Sequence, residues 1–190
     1  EQAKGVGITN GIDTAVWDPA TDSMLPHHYR STNAVTGKRL NKTLLCQAYG
    51  LDHEKPLLAF IGRFASEKGA DLLPGIIEAL LGTEQAAVSI MVLGAGDPQL
   101  QTIMYQLADR YRGQLAVYIG YQEALAHQIY AASDFLLMPS RVEPCGLNQM
   151  YAMRYGTIPI VRSTGGLRDT VRDLQEAHGY GITFPEARVA

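Results

Sequence analysis

The sequence predicts an α/β fold, a Rossmann-like, doubly wound parallel sheet with helices on both of its faces. From residue 56 onward, short apolar runs alternate with segments of helical period, which implies parallel strands joined by right-handed crossovers. Most of these runs are apolar at every position rather than at every second one. Such runs are typical of strands that are buried on both faces of a sheet.

The predicted strands share a short length, a composition of mainly branched or aromatic apolar residues, and flanking Gly, Pro or polar residues. They are residues 57–62, 88–93, 115–120, 135–138, 158–161 and 181–184.

The predicted helices fill the intervals between these strands, where apolar residues recur with a period near 3.6. They are residues 69–81, 99–111, 123–132, 147–155 and 166–174. We expect Pro74 and Gly75 to weaken the middle of the first of these helices, because Pro lacks a backbone donor and Gly is flexible.

The first 50 residues differ from the rest, since they are rich in Thr, Asn, Asp and Pro and contain turn signals such as Asn10-Gly11. One helix is predicted within them, at residues 37–49. We therefore expect residues 1–50 to be an extension that packs on a Rossmann-like domain of residues 51–190.

Composition excludes several classes of function. The chain has 190 residues, 46% of them apolar and 18% charged, with a formal net charge of −3 and no basic block, which argues against nucleic acid as a partner. No apolar run approaches the roughly 20 residues that span a bilayer. Cys46 and Cys145 are expected to be free thiols in a reducing compartment, and the scattered histidines show no metal-ligand spacing.

A basic loop follows the first predicted strand, with Arg63 at the strand end and Lys68 at the start of the next helix. Two cations at one strand end suit a diphosphate, Arg as a planar fork and Lys as a point charge. The alternative is a pair of solvated charges, with Lys68 bonded to Glu67 or Asp71.

Two further strand ends carry weaker signals. In the glycine-containing loop of residues 94–98, a tight turn with Asp97 as helix cap is favoured over a ligand contact, because the dinucleotide fingerprint is incomplete. In the next loop, Tyr121 either stacks on a flat base or covers the edge of the core.

The most informative loop, PSRVEPCGLNQ at residues 139–149, places a carboxylate, a thiol and a glycine-opened helix start at the end of a buried strand. An anion can bind the free amides of such a helix, and Glu143 can hold sugar hydroxyls. The alternative is a salt bridge from Glu143 to Arg141, with Cys145 as a small buried residue. No His lies in this loop, which argues against Cys145 as a nucleophile.

A second glycine-rich helix start follows at Thr164, Gly165 and Gly166. It either cradles an anion with its amides or is a tight connection with Thr164 as the cap. All of these loops are predicted to lie at the same edge of one parallel sheet, where ligands of open α/β folds bind. Together they predict a sugar-nucleotide site, in which cations and helix starts bind the diphosphate and Tyr121 binds the base.

The motifs at residues 139–149, 151–156 and 163–171 resemble those of bacterial glycogen synthases and plant starch synthases. The Arg63 to Lys68 spacing and the Asn-Gly-Ile-Asp run at residues 10–13 are similar to the same family. The EPCGLNQ stretch is highly specific to it, whereas the Arg-x4-Lys spacing and the Gly-Gly turn are shared by a wider set of retaining glycosyltransferases.

This resemblance implies the C-terminal half of a GT-B fold, whose active site lies between two Rossmann-like domains. It implies that residues 51–190 are the nucleotide-sugar-binding domain and that the extension of residues 1–50 derives from the interdomain linker. It implies a transferase that moves glucose from ADP-glucose to the non-reducing end of an α-1,4-glucan with retention, without a metal or other cofactor. The implied partners are ADP-glucose or ADP, the glucan acceptor and an N-terminal domain of the same chain, with no nucleic acid or membrane. The implied location is the bacterial cytoplasm or, for a plant protein, the plastid.

The resemblance also assigns roles. Arg63 and Lys68 would stabilise charge on the diphosphate as ADP leaves, and Glu143 would bind glucose hydroxyls near the anomeric carbon. The remaining implied contacts comprise adenine stacking, the sugar pocket, amides toward the distal phosphate and the second glycine-rich helix start. They are Tyr121, Cys145, Gly146, Leu147, Asn148, Thr164, Gly165 and Gly166.

Two departures from the wider pattern matter. Tyr151 stands where wider GT-B families carry a second Glu that holds the ribose, and the Lys-x-Gly-Gly-Leu acceptor loop of the N-terminal domain is not among these residues. We expect the 190 residues alone to bind nucleotide weakly and not to turn over. The alternatives are another retaining transferase that uses a UDP- or GDP-sugar, or a non-catalytic nucleotide-binding module on the same fold.

Overall fold

In the computed structural model, which describes residues 7–83 and 86–189, the strands form one sheet. The strands are β1 (Leu57–Phe64), β2 (Ser89–Gly96), β3 (Leu115–Ile119), β4 (Phe135–Met138), β5 (Ile158–Arg162) and β6 (Ile182–Phe184). Their order is β3-β2-β1-β4-β5-β6, and every neighbouring pair is parallel. This order confirms the predicted Rossmann-like sheet.

Helices connect these strands and also precede the first of them. They are α1 (Ala34–Tyr49), α2 (Leu73–Leu81), α3 (Pro98–Arg110), α4 (Glu123–Ala132), α5 (Asn148–Arg154) and α6 (Gly165–Thr170). Short 3-10 turns lie at Ser31–Asn33, Ser66–Lys68 and Ala70–Leu72. In the part of the chain that the structure describes, none of the helices has both the length and the apolar character needed to cross a bilayer.

The core consists of two apolar layers, one on each face of the sheet. One layer joins the sheet to α2 and α3 through residues such as Ile77 and Met104. The other joins it to α1, α4, α5 and α6 through residues such as Leu45, Ile129 and Leu167. The helices that follow β1 and β2 thus cover one face of the sheet, and those that follow β3, β4 and β5 cover the other. In the order of strands this change of faces falls between β1 and β4, and the rule for open α/β sheets places a ligand site at the carboxyl ends of these two strands.

Several predicted element boundaries are wrong. α1 begins at Ala34 rather than at residue 37, and β1 continues to Phe64, so Arg63 lies in the strand rather than in the loop after it. The predicted helix 69–81 is divided into 3-10 turns and α2, and Pro74 lies in the first turn of α2, where its missing amide costs nothing. The glycines of residues 94–96 belong to β2 rather than to a loop, and α6 ends at Thr170. The predicted cap is confirmed, because the Asp97 carboxylate accepts hydrogen bonds from the first amides of α3.

The segment before α1 packs against α4 and α5 through aromatic rings. Trp17 is stacked between His127 and Tyr151, with ring centroids 3.8 and 3.6 Å away. Beneath them, the buried Asp22 carboxylate lies 2.7 Å from His127 Nδ1 and accepts a hydrogen bond from Tyr155. These contacts attach the segment to the two helices that follow β3 and β4.

Candidate functional site

A pocket of about 60 Å³ lies at the carboxyl ends of β1 and β4. This is the position that the change of faces predicts for a ligand site. Its lining combines strand-end backbone with side chains from the loops that follow these strands. The lining residues are Phe60, Ile61, Gly62, Lys68, Leu137, Met138, Ser140, Glu143, Gly146, Leu147 and Asn148.

The charged residues in the lining of this pocket, Lys68 and Glu143, form an ion pair. Lys68 Nζ donates to Glu143 Oε2 at 2.6 Å, and the side chains are 28% and 7% exposed. Ser140 Oγ donates to the same carboxylate oxygen at 3.2 Å. A carboxylate this buried needs such partners, because removing a charge from water is costly without them.

Arg63 lies outside the pocket lining but at the same strand end. Its Nη2 donates to Glu67 Oε1 at 2.6 Å, and the two side chains are 70% and 41% exposed. Glu67 and Lys68 are neighbours in the same 3-10 turn, so the partner of Arg63 stands next to the second predicted cation. The alternative pairing of Lys68 with Glu67 or Asp71 is wrong, since Lys68 is bonded to Glu143.

The start of α5 is fixed by side-chain hydrogen bonds to its neighbours. Gly146 adopts a φ of +75°, which an L side chain rarely adopts. The side-chain amide of Asn148 donates through Nδ2 to Ile61 O at 2.8 Å, and Gln149 Nε2 donates to Cys145 O and to Thr170 Oγ1. Within residues 7–83 and 86–189, the backbone amides of Leu147 and Asn148 have no acceptor, which leaves them available at the pocket.

The glycine-rich start of α6 packs directly against the loop that carries Glu143. The Gly166 amide donates to Glu143 O at 3.0 Å, so it is not available to an anion as the sequence suggested. A Cβ on Gly165 would lie 2.1 Å from Glu143 O, and one on Gly166 would lie 2.0 Å from Cys145 O. Thr164 occupies the cap position of α6, as the alternative of a tight connection predicted, but its side chain makes no capping hydrogen bond.

Tyr121 and Cys145 lie outside the pocket lining. Tyr121 is 87% exposed, which rules out the alternative that it covers the edge of the core. Cys145 is half-buried rather than enclosed, and its Sγ accepts a hydrogen bond from the Asn10 amide at 3.2 Å. The segment before α1 therefore reaches the same loop as Glu143.

Sequence reasoning missed the groups that neutralise and orient the predicted residues. The suggested bridge from Glu143 to Arg141 is wrong, because Arg141 binds the Asp71 carboxylate instead. Glu67 could have been found from its spacing of four residues from Arg63, which suits a local ion pair. No local signal marks Ser140, since its partner Glu143 is defined only by the shape of the loop. In the described parts of the chain, no three His, Cys, Asp or Glu side chains are grouped as a metal site.

Comparison with known proteins gives this geometry a context. The glycogen synthase of Flavobacterium johnsoniae is 52% identical over 186 residues, which are 98% of this chain and 39% of that protein. The glycogen synthase of Rhodospirillum rubrum is 46% identical over 95% of this chain and 37% of its own length. The chain thus spans about two fifths of the curated relatives that it matches.

Among solved structures, the catalytic domain of Starch Synthase IV from Arabidopsis thaliana, bound to ADP and acarbose, superposes with a TM-score of 0.88. It is 38% identical, and the match covers 96% of this chain and 38% of that one. Residues 41–189 match the family described as glycosyl transferases group 1. The chain belongs to the group 1 glycosyl transferases.

Proposed function

We propose that the protein containing this chain is a glucan synthase that transfers glucose from ADP-glucose to the non-reducing end of an α-1,4-glucan with retention. The main support for this proposal is the Lys68–Glu143 ion pair, whose two residues line the pocket at the carboxyl ends of β1 and β4. The relatives at 46–52% identity are glycogen synthases, and the starch synthase that superposes on this fold is bound to ADP.

The electrostatics of the pocket suit a donor with a diphosphate. Lys68, Leu147 and Asn148 line the pocket, and Arg63 follows the lining residue Gly62 on β1. As the bond between glucose and ADP breaks, negative charge grows on the diphosphate, and prearranged cations and amides stabilise that charge in the transition state.

Glu143 is available to the sugar once the diphosphate engages Lys68. Its carboxylate is held by Ser140 and by the surrounding loop, so it keeps its place when Lys68 changes partner. There it would bind glucose hydroxyls and stabilise positive charge near the anomeric carbon. Cys145 would line the same sugar pocket.

The exposed ring of Tyr121 offers a stacking surface for adenine at the end of β3. Tyr151, at the position where wider families carry a ribose-binding Glu, is stacked on Trp17 and helps attach the segment before α1. We therefore assign Tyr151 to packing and leave base recognition to Tyr121. Thr164 and Gly165, at the start of α6, pack behind the loop of Glu143 and would support the site from there.

The groups that bind the glucan acceptor would come from another part of the protein. We propose that an N-terminal domain of the same protein supplies the acceptor side of a cleft that opens at this sheet edge. The reaction needs no metal, because cationic side chains and amides bind the diphosphate. Both cysteines are free, which fits a cytoplasmic protein.

The decisive experiment compares nucleotide sugars in the full-length protein with glycogen as acceptor. We expect release of ADP from ADP-glucose, growth of the glucan chain, and α-configured new linkages by NMR. Turnover with UDP-glucose or GDP-glucose alone would contradict the choice of donor. Tight nucleotide binding without any transfer would instead indicate a non-catalytic binding module.

A further inference from the structure

The two members of the Lys68–Glu143 pair belong to different loops, and Arg141 connects these loops. Its guanidinium binds both oxygens of Asp71, with Nη1–Oδ1 and Nη2–Oδ2 distances of 2.5 and 2.9 Å. Nη1 also donates to Ser66 O at 2.9 Å. Arg141 therefore spans from the loop of Glu143 to both sides of the turn that carries Lys68.

Backbone contacts run alongside this side chain. The amides of Arg141 and Val142 both donate to Glu67 O, at 2.9 and 3.2 Å. Gly69, with a φ of +66°, lies so close that an added Cβ would be 2.2 Å from Pro139 O. The loop after β4 is thus hydrogen-bonded to the residue before Lys68 and packed against the residue after it.

The Arg141 loop is itself anchored to the sheet. Arg162, the last residue of β5, donates through Nη1 to Arg141 O at 2.9 Å. Arg141 therefore links the turn that carries Lys68 to β5, the strand next to β4.

The Arg141–Asp71 pair is suited to orientation rather than to stability. Its side chains are 35% and 50% exposed, and ion pairs of this exposure contribute little to folding. A bidentate arginine–carboxylate pair nevertheless fixes direction, since two parallel hydrogen bonds allow one relative geometry. The hydrogen bonds from Arg141 hold the pKa of the Asp71 carboxyl below its usual value, so the pair stays charged at neutral pH. Arg141 is outside the pocket lining, and its guanidinium is bound to Asp71 and Ser66.

We propose that Arg141 is a positioning residue for the transfer reaction, which aims Lys68 at the diphosphate by holding the Ser66–Lys68 turn against the Glu143 loop. This inference rests on the proposed function, because it needs an anionic donor in the pocket. It assigns Arg141 no contact with the substrate.

The test uses the full-length protein and reads the donor KM, the acceptor KM and kcat of Arg141→Gln and Asp71→Asn. Misplacing Lys68 should raise the donor KM and lower kcat by about tenfold or more, with the acceptor KM unchanged. A residue that only maintained the fold would reduce the active fraction, and so the apparent kcat, without moving the donor KM. Arg110→Gln, which breaks the exposed Arg110–Glu78 pair between α3 and α2, should behave as wild type.

Two further variants guard against a trivial loss. Arg141→Lys keeps the charge but cannot form the fork, so it should recover only part of the donor KM. The swapped pair Arg141→Asp with Asp71→Arg should recover more than either single change. An unchanged donor KM in Arg141→Gln would overturn the proposal. If the wild type uses another nucleotide sugar, the proposed function is wrong, and the same comparison on that donor decides the role of Arg141.

Discussion

Lys68 Nζ lies 2.6 Å from Glu143 Oε2, and this contact joins the turn after β1 to the loop after β4. The cation that we assign to the diphosphate and the carboxylate that we assign to the sugar thus neutralise each other in this structure. Binding a sugar nucleotide must therefore exchange one ion pair for two new interactions.

Replacing Glu143 by Gln should abolish most of the activity while the fold survives. The amide keeps the shape of the side chain and can still bond Ser140, but it cannot stabilise positive charge near the anomeric carbon. We expect kcat of the full-length protein to fall by roughly 10²–10³, as for the loss of other prearranged electrostatic groups. Glu78→Gln, an exposed carboxylate on α2, is the matched control. A fall of less than threefold in Glu143→Gln would remove Glu143 from the reaction.

Replacing Glu67 by Gln should tighten the binding of ADP. Glu67 now neutralises Arg63, and the diphosphate must displace it before Arg63 can contribute. Because the pair is exposed, the competition is worth about 0.2–1 kcal/mol, which corresponds to a gain of up to about fivefold in affinity. Calorimetry of ADP binding to the full-length protein measures the gain, which should shrink at higher salt.

Weaker ADP binding in Glu67→Gln would have the opposite meaning. It would show that the carboxylate orients Arg63 toward the ligand rather than competing with it.

Adding one methyl group at Gly166 should disturb the site from behind. An alanine Cβ would lie 2.0 Å from Cys145 O, and the amide of the same residue already bonds Glu143 O. The backbone of the Glu143 loop must then move, which we expect to cost about 1–3 kcal/mol of stability and to weaken ADP binding. Gly11→Ala is the control, because no atom lies within 4 Å of the added Cβ. Equal melting temperatures and ADP affinities for the two variants would contradict this account.

The sheet could be predicted from sequence because its signal is local. The run of residues 135–138 is apolar throughout and short, which identifies a buried strand without knowledge of its neighbours. The strand-end loops follow from the strands, so the grouping of Lys68, Glu143 and the start of α5 was predictable as well.

The pairing of charges could not be predicted, because it depends on distances across the fold. Lys68 has acidic neighbours at positions 67 and 71, yet its partner is 75 residues away. Gly166 has the composition of an anion cradle, but only the packing against Cys145 O reveals that the glycine permits close approach of backbone instead. Composition can indicate that a position needs a glycine, and the reason comes from what lies opposite.

Lys38, on α1, is a half-buried residue outside the lining of the proposed site. Its Nζ lies 2.8–3.3 Å from four acceptors at the ends of α4 and α5, namely Tyr130 O, Ala131 O, Tyr155 O and Thr157 Oγ1. Burial lowers the pKa of this ammonium from its ordinary value of 10.5 to about 7. The folded protein therefore binds fewer protons at this residue than the unfolded chain does above pH 7.

This difference in proton binding predicts a pH-dependent stability. The free energy of unfolding should rise with pH from 7 toward 10.5, by at most about 1.4 kcal/mol per unit, since the unfolded state binds the extra proton. Burial also raises the pKa of Cys46 to about 11, which acts in the opposite direction above pH 9, so pH 7 to 9 isolates the lysine. Urea denaturation of the full-length protein at pH 7, 8 and 9 should give a rising midpoint in the wild type. In Lys38→Met the midpoint should be lower and flatter with pH, because the variant loses both the hydrogen bonds and the titrating group. Parallel pH dependences in the two proteins would show that Lys38 keeps an ordinary pKa and that its charge is fully solvated or fully compensated in the fold.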